Sequence, residues 1–262
     1  DEILKYIPWM MMDGINDAGL VCNINVVNAA DIEDCPHTHT NEGAPQIMVM
    51  NLVRALLDNC GSVEEAKAFI KNHDIRPIPT TWDGHIMIAD PVKNVVVEFT
   101  GEKGSEVKFT ETNIMTNFYN YQFARDGKFP KHACGIERYK ILSDSYASSN
   151  TMQGMWNLLK MVRYTQTYDE NVEPFWCSEY YDTDKIPTFD EHPMEYWTKE
   201  NVLAEEEPKK EVEAYKVYEQ TGKYNLDDGL WFTSHNSTYD IADKVLWVTI
   251  REKYEKRYQF KL

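Results

Sequence analysis

Residues 13–27, DGINDAGLVCNINVV, restrict the fold more than any other stretch of the chain. Asp13-Gly14 is a turn dipeptide, and Gly19 is a second break. Strand alternation follows. Leu20, Cys22, Ile24 and Val26 fall on one face; Val21, Asn23, Asn25 and Val27 fall on the other. Two amides on one face of an otherwise apolar strand cost stability unless they find hydrogen-bond partners. Two readings follow. The amides bond to a neighbouring loop, or the strand borders a site.

The 262 residues are enough to bury a real core and read as one domain. The net charge of −16 argues against nucleic acid and against an anionic membrane surface as partners. Five scattered cysteines (22, 35, 60, 134, 177) do not make a disulfide framework, and Cys22 and Cys60 sit among apolar neighbours. A reducing cytoplasm fits that usage best. No apolar run approaches the roughly 20 residues of a membrane helix. The opening DEILKYIPWMMMDG is acidic, with a short apolar run, and does not read as a signal peptide.

Residues 28–45 read as a polar loop. Cys35, His37 and His39 lie in it, but no second ligand pair stands at zinc-site spacing, so no metal is expected. Pro45 suits the first turn of a helix carrying Ile47, Met50, Leu52, Val53, Leu56 and Leu57, stopped by Gly61. Ser62 to Glu65 is a capping box that opens a second helix over 63–72. Strands are expected at 85–89, 95–99 and 106–110. Asp90 reads as a turn residue and Glu98 as an isolated carboxylate. A further strand ends at Thr116-Asn117 and gives way to the aromatics Phe118, Tyr119 and Tyr121. A helix starts at Ile136, and Thr151 caps another, whose apolar face carries Met155, Leu158, Leu159 and Val162. Residues 165–228 are aromatic-rich, then mixed-charge, with a surface helix expected over 203–218. Strands at 229–239 and 245–250, and a last one at 258–262, close the chain. The sequon Asn236-Ser237-Thr238 reads as idle.

Several of these phrases resemble the choloylglycine hydrolase family, which includes penicillin V acylases and bile salt hydrolases. They are DGIN-x-x-GL at 13–20, LLDNC at 56–60 with SVEEA at 62–66, HIMIADPVKNVVVEFTG at 85–101, MTN at 115–117, ERY at 137–139 and the closing TSHNSTYDIADKVLWVTI. The resemblance implies an α+β N-terminal-nucleophile fold, two antiparallel sheets between helix layers (αββα). It implies hydrolysis of a linear, non-peptide amide by a cysteine whose own α-amine is the base. Asn117 would donate its side-chain amide to the oxyanion, with a backbone N–H near Asn25 and Val26 as second donor. Arg138 would orient the nucleophile or stabilise charge. Phe118 and Tyr119 would line an apolar acyl pocket. No metal or organic cofactor is implied, and members are often homo-oligomers. The small-molecule amide itself is left open among penicillin V, conjugated bile salts, N-acyl amino acids and acyl homoserine lactones.

The family's leading cysteine has no counterpart here, since residue 1 is Asp1 and Cys22 sits mid-strand. Three explanations stand. The nucleophile segment lies upstream of the chain, it is supplied as a separate N-terminal fragment, or the protein has lost it. The first is favoured. An acyltransferase on the same fold and a catalytically inactive binding protein are the alternative functions.

Overall fold

The computed structural model describes residues 11–28, 39–76, 82–100, 107–130, 135–162, 235–250, 254 and 256–261. The chain, read above as one domain, divides into two compact units. The first holds residues 1–134, 239–246 and 260–262; the second holds 135–238 and 247–259.

The first unit carries strands β1 (Asp13–Ile15), β2 (Val21–Asn28), β3 (Gln46–Met48), β4 (Asp74–Arg76), β5 (Trp82–Ala89), β6 (Asn94–Phe99) and β7 (Val107–Glu111), and helices α1 (Val49–Asn59), α2 (Val63–Lys71) and α3 (Asn120–Asp126). Five of the strands form one sheet in the order β1-β2-β5-β6-β7, antiparallel throughout. One sheet face and the helices α1 and α2 share a core. Leu20, Cys22, Ile24, Ile86, Ile88, Val95 and Val97 meet Leu52, Val53, Leu56, Val63, Ala66 and Ile70 there. The alternation in the sequence thus becomes burial, with one exception. Val26 shares the parity of Cys22 and Ile24, yet it is 47% exposed.

The motif at 13–20 holds this layer together. Asn16 donates its amide to the carbonyls of Leu57 (2.9 Å) and Cys60 (2.7 Å), and its oxygen accepts from the Leu20 N–H (3.0 Å). The last carbonyls of a helix have no partner within it, so one side chain both ends α1 and ties the β1–β2 turn to it. Gly14 lies close against the helix, and a Cβ there would fall 2.7 Å from Leu57 Cδ1 and make that side chain shift. At the next helix, Ser62 Oγ accepts from Glu65 N–H (3.2 Å). The return arm of the expected box reaches one residue further back, from Gly61 N–H to Glu65 Oε2 (2.7 Å).

Pro45 does not open α1. The next residues form β3, which pairs in parallel with β4, Gln46 opposite Asp74, and the helix starts at Val49. Residues 113–116 are not a strand, because β7 ends at Glu111 and only an isolated bridge marks Asn117.

The second unit contains α4 (Ile136–Ser145) and α5 (Met152–Met161). Thr151 caps α5 as expected, its Oγ1 accepting from Gly154 N–H at 3.0 Å. Of the expected face, Leu158 is buried and Met155, Leu159 and Val162 are half-buried, and Trp156, not named from the sequence, is buried with Leu158. Trp156 sets its edge against Trp247 and Tyr254, and the Arg257 guanidinium stacks 3.5 Å from the Trp247 ring centroid. Strands β8 (His235–Asp240), β9 (Val245–Ile250) and β10 (Tyr258–Lys261) form a second sheet, β10-β9-β8. The α+β class expected from the sequence is the class observed. The expected structure at 165–228 and 229–234 lies outside the described residues. Among the described residues no helix is long and apolar enough to cross a membrane.

Candidate functional site

The sheet face turned away from α1 and α2 is polar along one row. Asn25 on β2 stands opposite His85 on β5. One register step beyond Ile86↔Val97, His85 stands opposite Glu98 on β6, and Glu98 stands opposite Lys108 on β7. Cross-strand partners point to the same face, so these four side chains run side by side.

His85 and Glu98 are fully buried. The Glu98 carboxylate accepts from the backbone N–H groups of Asn120 (2.6 Å) and Tyr121 (2.8 Å), the first two of α3, and faces His85 Nδ1 at 3.1 Å. The other ring nitrogen, Nε2, lies 2.8 Å from the carbonyl oxygen of Thr116. Either tautomer of the ring places an N–H towards one of these two oxygens. A buried carboxylate is tolerated only when paired and hydrogen-bonded, and here both conditions are met. Glu98 is therefore not the isolated carboxylate expected from the sequence. It anchors α3 and, through His85, the backbone just before Asn117.

Asn117 projects from that fixed loop back to β2. Its amide donates to the Val26 carbonyl at 2.7 Å, while the Asn25 amide reaches the Thr116 carbonyl at 3.4 Å and the Asn23 amide reaches Asn25 Oδ1 at 3.4 Å. Asn25 thus finds its partner in the loop, and Asn23 finds its partner in Asn25. In an antiparallel strand the N–H and C=O of one residue point to the same side, and successive residues alternate. Ile24 N–H bonds to Met12 O, towards β1. Val26 therefore faces the same edge, past the last described residue of β1. The Asn117 amide and the Val26 N–H share that edge. Asn25, Val26 and Asn117, named from the sequence, are brought together.

Phe118 and Tyr119 are not presented as pocket lining. Both are fully buried. Phe118 packs edge-on against Phe123 and Phe129, and Tyr119 packs against Tyr121 and clusters with Val27. Arg138 belongs to the second unit. It sits in the first turn of α4 with its guanidinium over Gly135, 2.7 Å from where a Cβ there would lie, and Gly135 itself is left-handed at φ +77°. Burial pushes the Cys60 thiol up to about 11, with Glu65 adding to it, and pushes Cys22 higher still. A thiol kept protonated is a poor nucleophile. His39 faces the Lys71 carbonyl at 3.3 Å; Cys35 and His37 lie outside the described residues, and among those described no metal-holding cluster occurs.

Sequence reasoning missed the His85–Glu98 pair. The signal was present. In HIMIA and VVVEF both residues fall on the parity opposite the core-facing Ile86, Ile88, Val95 and Val97, and the turn at 90–93 sets the register that joins them.

No curated protein matches the chain. Among solved structures, the conjugated bile acid hydrolase from Clostridium perfringens resembles it in two mutant forms. One is 18% identical with a TM-score of 0.48 and covers 97% of this chain and 73% of that one. The other is 18% identical with a TM-score of 0.46, covering 96% and 73%. A penicillin V acylase from Agrobacterium tumefaciens is 17% identical with a TM-score of 0.40, covering 92% of this chain and 62% of that one. Residues 4–182 match the family model described as acyl-coenzyme A:6-aminopenicillanic acid acyl-transferase. That match spans more than half of the sequence, and the chain belongs to this family.

Proposed function

We propose that this chain carries the charge-stabilising half of an N-terminal-nucleophile amidase, with the αββα arrangement, acting on a linear amide C–N bond. The carrying observation is the Asn117 amide, held 2.7 Å from the Val26 carbonyl on the edge that the Val26 N–H also faces. A tetrahedral oxyanion needs donors about 3 Å away, each worth roughly 3–4 kcal/mol, and in this reading the Asn117 amide and the Val26 N–H take that role. The attacking group in this reading is a cysteine thiolate upstream of the 262 residues, as the family resemblance implies, and the buried Cys22 and Cys60 do not supply it. It adds to the amide carbon, the nitrogen leaves as the protonated amine, and water then releases the acid from the thioester. Arg138 orients the nucleophile or stabilises charge. The buried thiols Cys22 and Cys60 fit a reducing compartment, the cytoplasm.

The test uses the full natural protein, N-terminally sequenced to locate its cysteine, with penicillin V and a glycine-conjugated bile acid as probes. Asn117→Ala lowers kcat by about 10²–10³-fold while the circular dichroism spectrum is kept. Unchanged turnover removes Asn117 from the mechanism.

The family description favours a second reading, acyl transfer, in which an amine takes the acyl group in place of water. Adding 6-aminopenicillanic acid to the reaction separates the two. An amide product speaks for transfer, and free acid alone speaks for hydrolysis.

A further inference from the structure

We propose that the buried His85–Glu98 pair is a positioning device for Asn117, a role beyond that of the residues that stabilise the oxyanion directly. It rests on Asn117 as the oxyanion donor. The chain of contacts has no slack. Two backbone N–H groups of α3 hold the Glu98 carboxylate at 2.6 and 2.8 Å, the carboxylate meets His85 Nδ1 at 3.1 Å, and His85 Nε2 meets the Thr116 carbonyl at 2.8 Å. Thr116 is bonded covalently to Asn117. His85 is itself fixed by the sheet, directly opposite Asn25, whose neighbour Val26 receives the Asn117 amide. Both ends of the Asn117–Val26 contact are thus referred to the same two strands.

Residues 112–119 belong to no helix or strand; an isolated bridge at Asn117 and the side-chain bonds around it hold the loop. Two further bonds hold this loop at its start. Asn120 donates its amide to the Ile114 carbonyl at 2.9 Å, and Ile114 N–H bonds to Thr112 Oγ1 at 3.2 Å. Neither acts at residue 116. Two groups do, the Asn25 amide at 3.4 Å from the Thr116 carbonyl and the imidazole at 2.8 Å, and the imidazole is fully buried. A donor displaced by an ångström loses much of its effect on a transition state, because such stabilisation depends on pre-set geometry. The pair therefore acts on turnover through Asn117 and touches no substrate.

The experiment is a double-mutant cycle in the full natural protein with penicillin V as probe. His85→Gln lowers kcat by about 10–100-fold with KM held within about twofold. In an Asn117→Ala background the same change costs less than about twofold, because the residue it positions is gone. Glu98→Gln behaves likewise. If it fails to fold, His85→Gln, which leaves the carboxylate its two backbone donors, carries the test alone. Equal fold-losses in both backgrounds assign the pair a purely structural role and overturn the proposal. A second readout needs no substrate. By NMR, His85→Gln speeds hydrogen exchange of the Asn117 side-chain amide, and unchanged exchange also overturns it. Native turnover in Asn117→Ala sinks the oxyanion reading instead, and the exchange measurement still judges the positioning.

Discussion

Asn16 shows how much one side chain can carry at the residue scale. It fills three backbone positions at once, Leu57 O, Cys60 O and Leu20 N. Truncation leaves partly buried polar groups without partners, at about 1–3 kcal/mol each where water cannot enter. Asn16→Ala is expected to lower the unfolding free energy by about 2–4 kcal/mol in urea titration. A loss below about 0.5 kcal/mol would mean that water takes over those bonds. Asn117 and His85 work the same way: each meets a backbone carbonyl, Val26 O and Thr116 O, with a side chain. What differs is the consequence. Asn16 secures the fold, whereas the position of Asn117 decides where an amide N–H points.

The turn between β5 and β6 is the informative feature at the scale of elements. Asp90 accepts from Val92 N–H (2.7 Å) and Lys93 N–H (2.9 Å) within the turn, and from Val63 N–H (2.8 Å) at the start of α2. Partial burial opposes its charge, but the N–H groups of Val63, Lys93 and Val92 and the Lys93 ammonium outweigh that and hold the carboxyl below its usual range. The sign follows from the depression. The folded state binds the proton less readily than the unfolded chain, so the carboxylate's contribution is complete above about pH 4 and is lost as the pH falls further. Asp90→Asn should therefore flatten the acid limb of a stability-against-pH curve measured by denaturant unfolding. An unchanged limb would show that other carboxylates govern it. The helices obey local signals more simply. Ser62 and Thr151 each cap the helix that follows, as their place before an apolar periodicity indicates.

Distant segments are joined by few atoms at the scale of the whole molecule. Tyr239 donates its hydroxyl to Asp13 Oδ2 at 2.9 Å, and the Lys244 ammonium reaches the Asp17 carbonyl at 2.6 Å, so the closing strands meet the opening turn within the first unit. Tyr239→Phe removes one such bond and is expected to cost about 0.5–1.5 kcal/mol by thermal or urea unfolding, with the helical signal of the native state unchanged. A larger loss with altered native spectra would mean that the hydroxyl decides the docking itself. Such links mark the limit of sequence reasoning. Period-two burial in residues 20–25 is local physics and announced β2, while the short apolar runs at 85–89 and 95–99, the second buried at every position, announced β5 and β6. The capping serine and threonine, and the two asparagines in need of partners, were legible for the same reason. Other outcomes were set by what the chain met elsewhere. Pro45 precedes a strand because β4 pairs with it from 28 residues on, counting Gln46 to Asp74. Phe118 and Tyr119 are core because Phe123, Phe129 and Tyr121 close around them. Glu98 finds His85 across a hairpin, and His85 finds Thr116 across 31 residues. Hydrophobic period and caps depend on neighbours in sequence, so they could be read one residue at a time. Which buried polar groups share a hydrogen bond depends on register and on loop return, and only the folded chain decides those.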